Sequence, residues 1–96
     1  MREANLNGAN LHRADLRKTD LLDSNLGDTN LRGAILRDAN LNGANISGAH
    51  LWEAILQEAK LEGAVLRVAD LDYARMKDAI FCNTATQDGQ RIFKDC

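Results

Sequence analysis

The sequence predicts an all-β fold in which short extended pieces and corners alternate and wind the chain into a solenoid. Three features of the 96-residue chain predict it: an apolar residue at every fifth position, a small residue two places before each, and turn-forming residues at the end of each unit. Proline, which would remove a backbone donor between coils, is absent. A chain of this length forms one domain.

The repeat runs without a slip through most of the chain. Every fifth residue from Leu6 to Phe81 is apolar, and two residues before each lies Ala, Ser or Thr. The residue between them is mostly Asn or Asp in the first half of the chain. The unit is therefore Ala-(Asp/Asn)-Leu-x-x, and 16 copies fill residues 4–83.

A period of five excludes both a regular helix and a continuous strand. Residues five apart on an α-helix lie about 140° apart, so the Leu positions would form no apolar face. In a continuous strand an odd period would place successive Leu side chains on opposite faces. The pattern fits a unit in which Ala and Leu point inward, the residue between them points outward, and two residues turn.

The last position of each unit predicts the corners. Gly, Asp or Asn occupies ten of the 16 such positions, and these residues tolerate positive φ. Val68 and Tyr73 occupy the same position and do not suit positive φ. We therefore expect another turn type at these two corners.

At this point the array resembles the pentapeptide repeat proteins. The resemblance is carried by runs such as Ala4–Gly8 (Ala-Asn-Leu-Asn-Gly), Ala9–Arg13, Ala39–Gly43 and Ala69–Tyr73. It implies a right-handed, four-sided parallel β-helix with one unit per side and about four coils. The residues alone leave a three-sided helix open, although a spacing of 20 aligns several asparagines and isoleucines. The repeats are similar to the plain cyanobacterial-type members, and they are poorer in Phe and Cys than the quinolone-resistance members.

The repeat divides the chain into a β-helix of residues 1–83 and a C-terminal tail of residues 84–96. Ile92 and Phe93 are the only large apolar residues of the tail, and we expect them to cover the last coil. The N-terminal end has no comparable segment. Either the first coil is open, or it pairs with another chain, or the sequence is a piece of a longer protein. If it is the whole natural chain, we expect a monomer or a weak end-to-end homodimer through residues 1–21.

No residue pattern predicts catalysis, a cofactor or a metal site. His12 and His50 are expected at outward positions on different sides, without converging ligands. Asp70 and Asp72 are ordinary residues for outward positions. Cys82 and Cys96 are expected as reduced thiols, with a disulfide as the alternative if the tail folds back.

The outward positions suggest a protein partner rather than nucleic acid. The net charge is −2, and the basic column Arg17, Arg37, Gln57, Lys77 runs beside the largely compensating column Lys18, Asp38, Glu58, Asp78. Apolar outward residues either are β-favouring surface positions or form a partner-binding patch. The candidate patch comprises Ile35, Trp52, Ile55, Val65, Val68, Tyr73 and Ile80.

These features predict a non-catalytic structural or protein-interaction module of unknown biological role. The alternative, which family analogy supplies, is a DNA-mimicking inhibitor or protector of a DNA-binding enzyme such as DNA gyrase. The sequence shows no secretory signal and no apolar run of membrane-spanning length. We therefore expect a cytoplasmic protein that does not contact membranes.

Overall fold

The fold, described here for residues 2–95 of a computed structural model, is built from parallel rungs. Isolated parallel bridges join each outward residue to the residue 20 positions later, from Asn5↔Asn25 to Val65↔Ala85. One coil therefore takes 20 residues, or one unit on each of four sides. No helix is present within residues 2–95. The predicted all-β, right-handed, four-sided β-helix is confirmed.

The bridges define four sides of the helix. Each side is named by the outward residues that stack along it. Side 1 carries Asn5, Asn25, Asn45, Val65 and Ala85; side 2 carries Asn10, Asn30, His50 and Asp70; side 3 carries Asp15, Ile35, Ile55 and Arg75; side 4 carries Asp20, Asn40, Lys60 and Ile80.

Each coil is hydrogen-bonded to the next by the same backbone pattern on every side. On side 2 the Leu51 N–H donates to the Asp70 carbonyl at 2.8 Å, and the Glu53 N–H donates to the Asp72 carbonyl at 3.0 Å. In the other direction the Asp70 N–H donates to the Ala49 carbonyl at 2.9 Å. Three of the five N–H groups in a unit thus donate to a neighbouring coil, which accounts for the absence of proline.

Asn and Asp suit the outward position because their side chains bond locally. The Asn30 Oδ1 accepts the Arg32 N–H at 3.2 Å, and the Asp70 Oδ1 accepts the Asp72 N–H at 3.1 Å. This Asx arrangement satisfies the N–H group just after the inward Leu. Ile and Val at the same position lack that acceptor and instead present a β-branched side chain to the surface.

The corners are β-turns closed inside each unit. The Ala54 N–H donates to the Leu51 carbonyl at 2.9 Å, and the third residue of this turn, Glu53, has φ of 59°. A positive φ at the third turn position is typical of type II turns. The fifth residue of each unit repeats this conformation along the array.

The expectation of a different turn at Val68 and Tyr73 is wrong. Their φ values are 51° and 60°, like those of their Gly and Asp counterparts. The Val68 N–H donates to the Gln87 carbonyl at 2.9 Å. The turn around Tyr73 is closed by the Ala74 N–H bond to the Leu71 carbonyl at 3.0 Å. Repeated coil geometry therefore overrides the local preference of both residues.

Inward Leu, Ile and Ala side chains fill the axis of the helix. Leu31 and Leu51 are 0% exposed and Leu56 is 1% exposed, which confirms their predicted burial. Ser24 and Thr29 replace inward alanines, and each hydroxyl donates to a backbone carbonyl at 2.8 Å. The inward residues near both ends, Leu6, Leu11, Leu16, Leu71, Met76 and Phe81, are only partly buried.

The tail folds back over part of the last coil. Strand β1 (Thr84–Ala85) stacks on Val65 and pairs with the antiparallel strand β2 (Arg91–Ile92). Asp95 then bonds to Phe81 on side 4 through both its N–H, at 2.9 Å, and its carboxylate, at 2.8 Å. The tail therefore covers sides 1 and 4.

The two large apolar residues of the tail differ in their burial. The Ile92 side chain is half-buried, whereas Phe93 is 59% exposed.

We expect Leu51→Ala to lower the free energy of unfolding by about 2–5 kcal/mol, because the substitution leaves a cavity in the middle of the stack. The matched control is Leu6→Ala, the same change at a partly buried position near the end of the stack. Urea unfolding followed by circular dichroism compares the two variants. Equal losses would contradict the assignment of the core.

Candidate functional site

The predicted partner patch is divided among the four sides of the helix. Ile35 and Ile55 stack on side 3, Val65 lies on side 1 with Val68 at the following corner, and Ile80 lies on side 4. Trp52 and Tyr73 belong to side 2, where they share their units with His50 and Asp70. The seven residues therefore do not form one continuous surface.

The structure does bring part of the patch together at the corner between sides 2 and 3. The rings of Trp52 and Tyr73 meet edge to face, with centroids 5.7 Å apart and planes at 85°. A shallow groove beside Tyr73 is lined by Ile55 and by Arg75. Ile35 lies next to Ile55 on the same column.

Local sequence explains the shape of this corner. The last positions of three stacked units are Gly33, Glu53 and Tyr73. Gly33 has no side chain, so the groove remains open beside Glu53 and Tyr73. Trp52 occupies the position before the corner, and 40% of it remains exposed despite its contact with Tyr73.

Carboxylates surround the aromatic pair. Asp70 and Asp72 follow one another on side 2, directly after Trp52 in the stack, and Glu53 adjoins Trp52 in the chain. Arg32, Trp52, Asp70 and Asp72 together line a second shallow depression. We call the set Trp52, Glu53, Val68, Asp70, Asp72 and Tyr73 the side-2 surface.

Two residues of the side-2 surface sit at positions that disfavour them. Val68 and Tyr73 are 71% and 76% exposed, and both have positive φ. A β-branched or bulky residue at positive φ is strained, at a cost of about 1–3 kcal/mol. Tyr73 recovers part of this cost through its contact with Trp52, and Val68 buries little surface within the chain.

The ion pairs within residues 2–95 lie away from this surface. Arg17 donates to both carboxylate oxygens of Asp15 at 2.8 Å, and these hydrogen bonds lower the pKa of the Asp15 carboxyl. Arg2 likewise lowers the pKa of Asp20 through a side-chain hydrogen bond. Neither of these ion pairs therefore includes a carboxylate of the side-2 surface.

The two histidines lie on the same side, so their predicted placement on different sides is wrong. His50 stacks in the column that begins with Asn10, and His12 belongs to the same unit as Asn10. Their separation in sequence is close to two coils of 20 residues, which returns the chain to one side. Within residues 2–95 no group of His, Cys, Asp and Glu side chains is arranged to hold a metal ion.

Cys82 is disulfide-bonded, so the expectation of a reduced thiol is wrong for this residue. The tail returns to the last coil through the Asp95–Phe81 hydrogen bonds. The other cysteine of the sequence, Cys96, lies outside the described residues. Among residues 2–95 no helix is long and apolar enough to cross a membrane.

Comparison with known proteins identifies the family. The family model for pentapeptide repeats matches eight copies over residues 1–33, 23–52 and 53–84. The chain belongs to the pentapeptide repeat family. A search of curated proteins gives no significant match.

Three solved pentapeptide repeat proteins resemble this chain. The protein from Nostoc Pcc 7120 is 41% identical, with a TM-score of 0.78 over 81% of this chain and 64% of its own. The Arabidopsis thaliana thylakoid lumen protein is 29% identical, with a TM-score of 0.84 over 88% and 59%. The Cyanothece 51142 protein is 36% identical, with a TM-score of 0.60 over 91% and 60%. The chain thus spans about three fifths of the length of these proteins.

We expect Val68→Gly to raise the free energy of unfolding by about 0.5–1 kcal/mol, because glycine relieves the strain of positive φ. The matched control is Val65→Gly, which replaces the same residue type at an outward position without positive φ. We expect this control to lower stability by about 1 kcal/mol. Urea unfolding measures both. A loss of stability in Val68→Gly would show that the corner is not strained.

Proposed function

We propose that this pentapeptide repeat protein is a non-catalytic interaction module that binds a protein partner through the side-2 surface. The observation that carries the proposal is the exposed Trp52–Tyr73 pair at the corner between sides 2 and 3. Exposed Val68, also at positive φ, lies at the other corner of side 2. Pentapeptide repeat proteins are in general structural or interaction modules.

The arrangement suits a protein partner better than a small molecule. Leu and Ala fill the axis of the stack, so the hollows beside Tyr73 and Trp52 are shallow surface features. Aromatic side chains supply large contact area and are enriched in the centres of protein interfaces. Here the Trp52 unit is hydrogen-bonded to the coils on both sides and the Tyr73 unit to the coil before it, so little order would be lost on binding.

Strain strengthens the argument for an external contact. Gly, Asn and Asp fill most of the other corners, where they stabilise the turn. Val68 and Tyr73 cost stability at their corners while most of their surface faces solvent. Residues that break a local rule without a compensating gain in the fold are expected at functional positions.

The charge pattern favours this function over DNA mimicry. A DNA-mimicking inhibitor or protector of an enzyme such as DNA gyrase requires a continuous negative face. Side 3 instead carries Arg37, Lys77 and the paired Arg17, and side 2 carries Arg32 in the unit that precedes its carboxylates.

The cytoplasmic location stays a prediction. The disulfide at Cys82 is a bond typical of oxidising compartments.

The test is affinity capture from a lysate of the source organism with two double variants. Trp52→Ser with Tyr73→Ser should reduce the amount of a captured protein by at least about tenfold, because truncating interface aromatics removes most binding energy. Ile80→Ser with Phe93→Ser removes exposed apolar side chains outside side 2 and should leave capture unchanged.

Quantitative mass spectrometry reads the captured protein, and urea unfolding confirms that both variants are folded. Unchanged capture by the Trp52/Tyr73 variant, or an equal loss in the Ile80/Phe93 variant, would rule out the side-2 surface as the binding site.

A further inference from the structure

The last coil ends in an open strand edge on sides 2 and 3. The backbone N–H groups of Leu71, Tyr73, Met76 and Asp78 have no hydrogen-bond acceptor within residues 2–95. One coil earlier, the corresponding N–H groups all donate to the next coil at 2.7–3.1 Å; they belong to Leu51, Glu53, Leu56 and Glu58. The Ala69 and Ala74 carbonyls likewise receive no backbone donor within these residues.

The tail shows how such an edge is completed on side 1. The Leu66 and Val68 N–H groups donate to the carbonyls of Ala85 and Gln87 at 2.7 and 2.9 Å, and the Ala85 N–H donates to the Ala64 carbonyl at 3.0 Å. Leu66 is 1% exposed beneath this added rung, whereas Leu71 and Met76 remain only partly buried. The edge on sides 2 and 3 offers the same pattern of donors, acceptors and apolar surface without the added rung.

We infer that an extended segment of the partner protein adds a parallel rung to this open edge, over sides 2 and 3. The inference rests on the proposed function, because Asp70, Asp72 and Tyr73 belong both to the side-2 surface and to the edge. Strand addition to an exposed edge supplies affinity through main-chain hydrogen bonds, and alternate side chains supply specificity.

The stacking rule defines the chemistry of that segment. Each added residue lies over the residue one coil before it, as Ala85 lies over Val65. The outward side chains would therefore lie over Asp70 and Asp72 on side 2, and over Arg75 and Lys77 on side 3. Opposite charges across neighbouring strands stabilise a sheet and like charges destabilise it. The segment accordingly carries Lys or Arg over side 2 and Asp or Glu over side 3.

The inward positions of the segment are also specified. Apolar side chains are needed over Leu71 and Met76, and small residues are needed two places before each, as in the rest of the stack. A second copy of this chain fits less well. Its own units for these sides carry Asn10 and His12, followed by Asp15 and Arg17. Arg17 would lie over Lys77, and Asn10 would bring no charge to Asp70.

The experiment uses two blocked peptides of identical composition. The matched peptide is Ala-Lys-Leu-Lys-Gly-Ala-Glu-Leu-Glu-Gly, and the reversed peptide exchanges every Lys with a Glu. Titration into the ¹⁵N-labelled chain should shift the amide signals of Leu71, Tyr73, Met76 and Asp78. We expect the reversed peptide to bind about fivefold more weakly than the matched peptide at low salt, because four cross-strand pairs become repulsive.

Two changes separate strand addition from simple charge attraction. N-methylation of the first Lys and the first Glu of the matched peptide removes the donors to the Ala69 and Ala74 carbonyls. This should weaken binding about tenfold, since two hydrogen bonds are lost. Asp72→Lys in the protein should reduce the preference for the matched peptide, whereas the same charge change at exposed Glu62 on side 4 should not.

Several results would overturn the inference. These are an absence of shifts at the four amides, equal binding of both peptides, and an unchanged affinity after N-methylation. Self-association of the chain in sedimentation experiments, with protection of the Leu71 and Met76 amides, would assign the edge to a second copy instead. If the peptides do not bind but lysate capture still depends on Trp52 and Tyr73, strand addition at the edge is rejected and the proposed function stands. If capture does not depend on Trp52 and Tyr73, the proposed function is rejected.

Discussion

The register between coils, fixed by backbone hydrogen bonds between residues about 20 positions apart, is the constraint on which the rest of the molecule depends. For the pattern to repeat, each side must have the same length and each corner must turn through the same angle. One turn type therefore recurs at the fifth residue of each unit, whatever its side chain. The inward Leu and Ala positions follow from the same register, because each must stack on its counterpart one coil away.

This constraint divides the molecule into a uniform interior and distinctive ends. In the interior, inward leucines such as Leu51 are buried and backbone groups are paired on both sides. At the C-terminal end the tail, as far as Asp95, completes sides 1 and 4 and leaves sides 2 and 3 uncovered. The exposed aromatic pair, the strained corners at Val68 and Tyr73 and the open edge all meet near side 2 of this end. The strained corners at Val68 and Tyr73 thus lie beside the part of the last coil that the tail does not cover.

The sequence was sufficient to predict what the period of five determines. The Leu positions, the outward Asn and Asp positions and the corners all follow from a repeat that has no slip. The predicted conformation of Val68 and Tyr73 failed because intrinsic preference is a local property, whereas the register of the stack is a collective one. The placement of His12 and His50 on the same side was also predictable from the sequence, because residues about two coils apart lie on the same side of the helix.

The candidate site was less predictable than the fold. Apolar outward residues could be recognised one by one, but Ile80 and Val65 lie on other sides than Trp52. Predicting which of them share a side requires the four-sided geometry. Predicting the Trp52–Tyr73 contact requires the side-chain directions at a corner. The disulfide at Cys82 and the course of the tail depend on irregular segments, where no repeat guides the prediction.

Amide hydrogen exchange tests the central claim, that the coil-to-coil pairing is uniform in the interior and open on sides 2 and 3 at the C-terminal end. Exchange is slow where backbone hydrogen bonds are protected and fast where they are absent. We expect slow exchange at Leu51 and Leu56, and fast exchange at Leu71 and Met76, their counterparts one coil later. Equal protection at all four amides would contradict it.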